Sequence, residues 1–321
     1  MPIKIPDNLP ARPVLEEEGV EVIRRYDAIR QDIRPMRILL LNLMPKKLET
    51  EIQLARLLSH TPLQVELTLL TTSTYQPTNT APEHLTAFYK TLGVVRHERF
   101  DGLVVTGAPI EEMPFEEVAY WRELCDIFDW AESHVFRQFN ICWGAQAALY
   151  HRFGVPKYAL PRKMFGIYEH RVLDTTALLT RGLPDRFLVP VSRHTETRHE
   201  DVEAHDDLRV MAESDTAGLC LVEDRRRGDA FMFNHLEYDS HTLRDEYLRD
   251  VQAGRDDVLF PHNYFPGDDP QAEPVNTWRP YAYLLFSNWM NALYQQTPFE
   301  LNEIPAKRRD GARQPAAAAA R

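Results

Sequence analysis

An α/β fold, with a mostly parallel sheet covered by helices on both faces, is what this sequence predicts. Three observations carry the prediction. The run Met36-Arg37-Ile38-Leu39-Leu40-Leu41-Asn42-Leu43 is nearly continuous in apolar residues, as in a strand buried on both sides. It is followed by Leu48, Ile52, Leu54, Leu57 and Leu58 at helical spacing, and the same alternation of strand and helix recurs downstream. At 321 residues and 44% hydrophobic content, the chain can form one large α/β domain or two closely packed ones around a substantial core.

In order, a first strand is expected over 36–43, closed by Pro45 and followed by the helix just described. A strand over 64–70, a helix over 83–92 and a strand over 102–105 come next, the last closed by Thr106-Gly107-Ala108-Pro109. A long amphipathic helix is expected over 115–130. The run Phe139-Asn140-Ile141 ends at Cys142 and passes at once into an alanine-rich helical pattern, so Cys142 lies at a strand-to-helix corner. From 155 to 191, Pro and Gly punctuation breaks the pattern. Short strands resume over 208–222 as a possible hairpin, and 230–235 reads as the strand that carries His235. A helix over 243–251, a proline-rich loop over 261–277 and an aromatic-rich helix over 281–294 complete a catalytic domain taken as residues 36–305. The stretch 1–35, rich in Pro and Glu, reads as an extended N-terminal arm, and 306–321 as a disordered tail.

A formal net charge of -11 and a pI near 5.6 oppose non-specific binding to nucleic acid, which needs clustered Lys and Arg. Any anionic ligand must therefore meet a local basic pocket. Cys125, Cys142 and Cys220 form neither an even-numbered framework nor a C-x-x-C pair, which points to a reduced, cytoplasmic protein. The first residues lack the apolar core of a signal peptide, and no apolar run approaches the roughly 20 residues that span a bilayer. Neither export nor membrane insertion is expected.

In parallel sheets of this kind ligands bind at the carboxyl ends of strands, where both Cys142 and Thr106-Gly107-Ala108-Pro109 fall. A cysteine attacks a carbonyl as thiolate and needs a helix N-terminus or an adjacent base. The corner supplies the helix. The backbone N–H of Trp143 would point at the oxygen of a bound carbonyl, Gly144 relieves crowding at the turn, and Ala108 is a natural second donor. About ninety residues on, Phe233-Asn234-His235-Leu236-Glu237 offers a base and an orienting carboxylate, two apart and so on one face of the expected strand. Taken alone, a buried cysteine is an ordinary core residue and His-x-Glu a frequent coincidence. A metal site of His235, Glu237 and His241 matches no recognised zinc spacing, and no metal is expected.

The collinear order of Thr106-Gly107-Ala108-Pro109, Cys142-Trp143-Gly144-Ala145-Gln146-Ala147-Ala148-Leu149, Tyr168-Glu169-His170, His235-Leu236-Glu237-Tyr238-Asp239 and Asn263-Tyr264-Phe265-Pro266 resembles the homoserine O-acyltransferases of the MetA type. The likeness covers nearly everything from Met1 to about Pro305. It implies a flavodoxin-like fold similar to class I glutamine amidotransferases, and transfer of an acyl group from acyl-CoA to the hydroxyl of L-homoserine for methionine biosynthesis. Acetyl-CoA would be a co-substrate, with no cofactor permanently bound, and the protein a homodimer. The resemblance makes Cys142 the nucleophile that forms an acyl-thioester, His235 the proton acceptor and Glu237 its partner. It assigns Lys163, Ser192 and Arg249 to substrate binding, where Arg249 could clamp a carboxylate with two parallel hydrogen bonds.

Glu111 matches the position where succinyl-using members resemble one another in carrying a small residue and acetyl-using members in carrying glutamate. A glutamate there would fill the space of a succinyl chain and repel its carboxylate, which argues for acetyl-CoA over succinyl-CoA. By itself it would read as an acid opening the helix expected from 115. Lys46 and Lys47 could meet the CoA phosphates if their loop folds toward the site. The rival readings are a homoserine O-succinyltransferase, a glutamine amidotransferase that would need a synthase partner, and a non-catalytic small-molecule sensor.

Overall fold

In the strand Met36–Leu41, Ile38 and Leu40 enter one apolar core while Leu39 and Leu41 enter another. Side chains alternate across a strand, so an unbroken apolar run supplies two cores at once. The structure is a computed structural model and describes residues 3–18, 22–23, 34–74 and 80–304. The expected tail lies outside them.

In chain order the elements are β1 (Ile3–Lys4), α1 (Ala11–Glu17), β2 (Val22–Ile23), β3 (Met36–Leu41), α2 (Lys47–Leu58), β4 (Val65–Leu70), α3 (Pro82–Phe88), β5 (Tyr89–Lys90), α4 (Leu92–Val95) and β6 (Phe100–Val105). They continue with α5 (Trp121–His134), β7 (Val135–Ile141), α6 (Trp143–Phe153), β8 (Tyr158–Val172), β9 (Arg186–Glu196) and α7 (His199–Glu203). Last come β10 (Leu208–Ser214), β11 (Gly218–Asp224), β12 (Ala230–Met232), α8 (Thr242–Gln252) and α9 (Arg279–Gln296).

The strands form a single sheet in the order β2-β1-β4-β3-β6-β7-β12-β11-β10-β8-β9, with β5 beside β4. Its centre, β4-β3-β6-β7-β12, is parallel throughout. That is the 2-1-3-4-5 order of a flavodoxin-like sheet. From β12 outward the pairing is antiparallel. Leu54 and Leu58 of α2 and Trp289 of α9 share the core of Ile38 and Leu40; Leu124 and Phe128 of α5 and Leu149 of α6 share that of Leu39 and Leu41. Helices therefore cover both faces, as expected.

Several local expectations change. Residues 3–18 are not an extended arm: β1 pairs with β4, and Ile5, Leu9, Ala11 and Leu15 are buried in the core. The helix expected over 83–92 breaks at Tyr89, which pairs with Leu69 while its hydroxyl donates to Glu51 Oε1 at 2.6 Å. The helix expected from 115 starts only at Trp121. Leu124, Ile127, Phe128 and Ala131 share one helical face, whereas Phe115 and Val118 lie out of phase with it and are buried from a separate turn. The region 155–191 is taken up by most of the long hairpin β8–β9, which runs on to Glu196 and in which a register shift between Ala159 and Met164 absorbs Pro161. The strand expected to reach His235 stops at Met232, because Asn234 turns inward to accept a hydrogen bond from Arg193 and donate one to His170.

Candidate active site

Strand β7 ends at Ile141, and Cys142 turns the chain into α6 with φ 50° and ψ −118°. A positive φ at a residue with a side chain is strained, and strain of this kind is held in place by its surroundings. Here the Cys142 N–H donates to the Met232 carbonyl at 2.6 Å, tying the corner to the end of β12. Gly144 allows α6 to approach β6, since a Cβ at that position would lie 2.5 Å from the Thr106 carbonyl oxygen. Gly107 does the same for the facing loop. A Cβ there would lie 3.3 Å from Cys142 Cβ and 3.7 Å from His235 Cε1, so the loop, the cysteine and the histidine meet at one point.

His235 Nδ1 and Glu237 Oε1 are 2.6 Å apart, both side chains buried. They meet through the turn after β12 rather than as alternate residues of a strand, which corrects the geometry expected from spacing. The imidazole stacks on Tyr238 with centroids 4.2 Å apart, and the Tyr238 hydroxyl donates to Glu246 Oε1 at 2.7 Å. The other Glu246 oxygen accepts from Ser192 Oγ at 2.6 Å and from Lys163 Nζ at 3.4 Å. Lys163 also donates to Asp250 Oδ2 at 2.9 Å, while Arg249 donates to Asp250 Oδ1 and leaves 62% of its side chain exposed.

Cys142, His235, Lys163, Ser192, Arg249, Glu111 and Ala108 all line one cavity of about 310 Å³. Glu237 stands behind His235, and Trp143 is buried as the first residue of α6, a position whose N–H has no partner within its helix. Glu111 does not open a helix. Its Oε2 accepts the His194 N–H of β9 at 2.7 Å, which turns the carboxylate into the cavity.

Burial holds the Cys142 thiol above its ordinary pKa, and the His235 imidazolium opposes this. Burial alone would lower His235, but the carboxylate of Glu237 and the facing sulfur outweigh it and raise the imidazole well above its ordinary value. Each group thus favours the charged form of the other against the effect of burial, an arrangement in which a proton can pass between sulfur and imidazole. Burial also raises Glu111, against the pull of the His194 N–H and of His235, Lys163 and Arg193. For Glu246 the balance runs the other way: burial is outweighed by Lys163 and the hydroxyls of Ser192 and Tyr238, and the carboxyl is lowered.

The lysine pair behaves differently from expectation. Lys47 is buried, and its Nζ donates to the Asn42 and Met44 carbonyls instead of facing a phosphate; burial depresses it to about 8. Lys46 is exposed and paired with Glu49 at 3.0 Å. His241 turns to Glu273, away from the pairing of His235 with Glu237, and no cluster of three or more metal-ligating side chains occurs among the described residues. Spacing alone missed Tyr238, Glu246 and Asp250. A signal was present, because Glu246, Arg249 and Asp250 sit at i, i+3 and i+4 and share one face of α8.

The fold is similar to that of solved glutamine amidotransferase-type structures. A GMP synthase protein from Thermoplasma acidophilum superposes with a TM-score of 0.53 at 15% identity, over 82% of this chain and 96% of that one. A glutamine amidotransferase from Thermotoga maritima gives 0.52 at 13% identity, over 81% and 99%. Sequence is more specific. The profile of the family described as homoserine O-succinyltransferase matches residues 2–299, and the chain belongs to that family. It is 54% identical to a homoserine O-acetyltransferase of Hyphomonas neptunium and 53% to one of Rhizobium leguminosarum bv. trifolii, each over 95% of this chain and 99% of the relative. A homoserine O-acetyltransferase of Agrobacterium fabrum is 51% identical, over 95% and 98%.

Proposed function

We propose that this protein is a homoserine O-acetyltransferase, moving an acetyl group from acetyl-CoA to the hydroxyl of L-homoserine for methionine biosynthesis. The reaction takes two displacements at Cys142. His235 accepts the thiol proton, the sulfur bonds to the thioester carbonyl carbon, and the oxyanion is held by the N–H groups of Trp143 and Ala108. The carbon–sulfur bond to CoA then breaks and the departing thiolate takes the proton from His235. Homoserine replaces CoA, His235 takes its hydroxyl proton, and the alkoxide oxygen attacks the acyl-thioester. Product leaves and the Cys142 thiolate returns beside an imidazolium whose charge Glu237 balances. Arg249 suits the homoserine carboxylate, being more exposed than the other lining cations Lys163 and Arg255. Lys163 and Ser192, both held by Glu246, fix the wall beside it.

The observation that carries the acetyl assignment is Glu111, whose carboxylate enters the cavity lined by Cys142. A succinyl chain would meet both its bulk and its charge, a like-charge juxtaposition worth several kcal/mol. Relatives sharing about half the sequence bear the acetyl name, in keeping with that reading. The free cysteines fit a cytoplasmic enzyme, and the resemblance implies a homodimer, for which sedimentation in solution is the check. The donor assignment is tested by measuring kcat/KM for acetyl-CoA and succinyl-CoA, with homoserine as acceptor, on wild type and Glu111→Gly. Wild type is expected to prefer acetyl-CoA, and the variant to move toward succinyl-CoA by at least roughly tenfold in the ratio. A wild type that prefers succinyl-CoA contradicts the assignment.

A further inference from the structure

The cavity at Cys142 is one of two that meet at the loop after β6. The second, of about 290 Å³, shares Pro45, Ala108, Pro109, Ile110 and Met113 with the first. It extends from that loop to Thr71 and Thr72 beyond β4, and to Val118 and Ala119 ahead of α5. The two are chemically unlike. The first brings Glu111, Glu112, Glu246 and Asp250 together with Lys163, Arg249 and Arg255, a lining suited to a small zwitterion. In the second, among the described residues, the one charged lining residue is Lys47, whose ammonium is already bonded to backbone carbonyls; the other described walls are apolar or bear hydroxyl and amide groups.

We propose that this second cavity is the cleft for the pantetheine arm of the acyl-CoA donor. The inference rests on the acyl-CoA reading above and adds to it where the donor lies. A pantetheine arm is long, uncharged and largely aliphatic, with two amides, and its sulfur must end within bonding reach of the nucleophile. The lining of the second cavity suits such an arm, and the cavity adjoins the one that holds Cys142. Val118 and Ile110 offer apolar contact, the hydroxyls of Thr71 and Thr72 offer partners for amides, and the shared wall from Ala108 to Ile110 leads to the cavity that holds Cys142. The acceptor keeps the charged side, so an arm lying in the second cavity leaves Arg249 free for homoserine.

Ala119 gives the test, since it is exposed and lines only the second cavity, so a large side chain there fills the cleft without entering the core. In Ala119→Trp the ratio of kcat/KM for acetyl-CoA to that for S-acetyl-N-acetylcysteamine, a thioester lacking most of the arm, is expected to fall by roughly tenfold or more. Direct titration with CoA should show weaker binding by a similar factor. An unchanged ratio, or CoA bound as tightly as by wild type, overturns the proposal. If wild type turns over acetyl-CoA and the variant is indifferent, the cleft assignment fails alone. If wild type binds CoA in an Ala119-dependent way yet acetylates no homoserine, the functional reading fails and the cleft stands.

Discussion

At the scale of single residues, the site depends on how Glu237 and Tyr238 hold one imidazole. Glu237 keeps a carboxylate on Nδ1 and Tyr238 backs the ring face, so Nε2 is the nitrogen left for a further partner. Glu237, together with the facing sulfur, raises His235 against the effect of burial. Replacing it with Gln removes that support, so the imidazole loses its proton at lower pH. The acid limb of kcat/KM should move to lower pH in Glu237→Gln while the plateau falls by roughly 10² to 10⁴, because the base is weaker and less well oriented. An acid limb that stays in place would show that Glu237 does not tune His235. The corner at Cys142 and the pairing of His235 with Glu237 were legible in the sequence because a strand-to-helix corner and a His-x-Glu pair have fixed local spacing. Glu246 was not: its partners Ser192, Lys163 and Tyr238 come from three separate segments, and only the folded chain brings them onto one carboxylate.

At the scale of elements, the close approach of α6 to the end of β6 sets where the Trp143 N–H and the sulfur lie. Gly144→Ala would drive a methyl group into the Thr106 carbonyl, which as backbone cannot swing aside like the end of a long side chain. The variant should lose about 1 to 3 kcal/mol of stability in urea unfolding. It should also lose activity out of proportion to any loss of folded protein, since the corner is displaced from the facing loop. Unchanged turnover in Gly144→Ala would mean that this approach does not position the nucleophile. Element type was readable wherever apolar residues kept one period, as in β3, α2 and α9. It was misread where packing overrode period: Tyr89 ended α3 for the sake of a buried hydroxyl, and the β8–β9 hairpin carries its prolines in a bulge or opposite a tolerant partner.

At the scale of the whole molecule, β7 and β12, the strands that lead to Cys142 and His235, are tied together by a buried ionic cluster just before β12. Asp229, fully buried just before β12, accepts the Gln138 N–H of β7 at 2.7 Å, Arg152 of α6 at 2.8 Å and Arg227 at 2.7 Å. Burial alone would push its carboxyl up, but Arg227 and Arg152 outweigh this and hold it at about 2. An unfolded Asp titrates near 3.9, so the cluster contributes its stability above about pH 4 and loses it as pH falls toward 2, a contribution of about 2 to 3 kcal/mol. Asp229→Asn should therefore be several kcal/mol less stable than wild type at neutral pH, with the gap narrowing below about pH 4. Urea unfolding of both proteins across that range is the check, and a gap independent of pH would contradict the ionic account. The parallel centre of the sheet was foreseeable from alternation, because each βα unit is local in sequence. Its antiparallel extension and the docking of residues 3–18 depend on pairings between distant segments, which no local pattern records.

The central claim is that Cys142 carries the acetyl group between donor and acceptor. Mass measurement of the intact protein after mixing with acetyl-CoA, in the absence of homoserine, tests it most directly. The account predicts the mass increment of one acetyl group on wild type, its loss when homoserine is added, and no increment on Cys142→Ala. Wild type without an adduct, or a Cys142→Ala variant acetylated to the same extent, would contradict it.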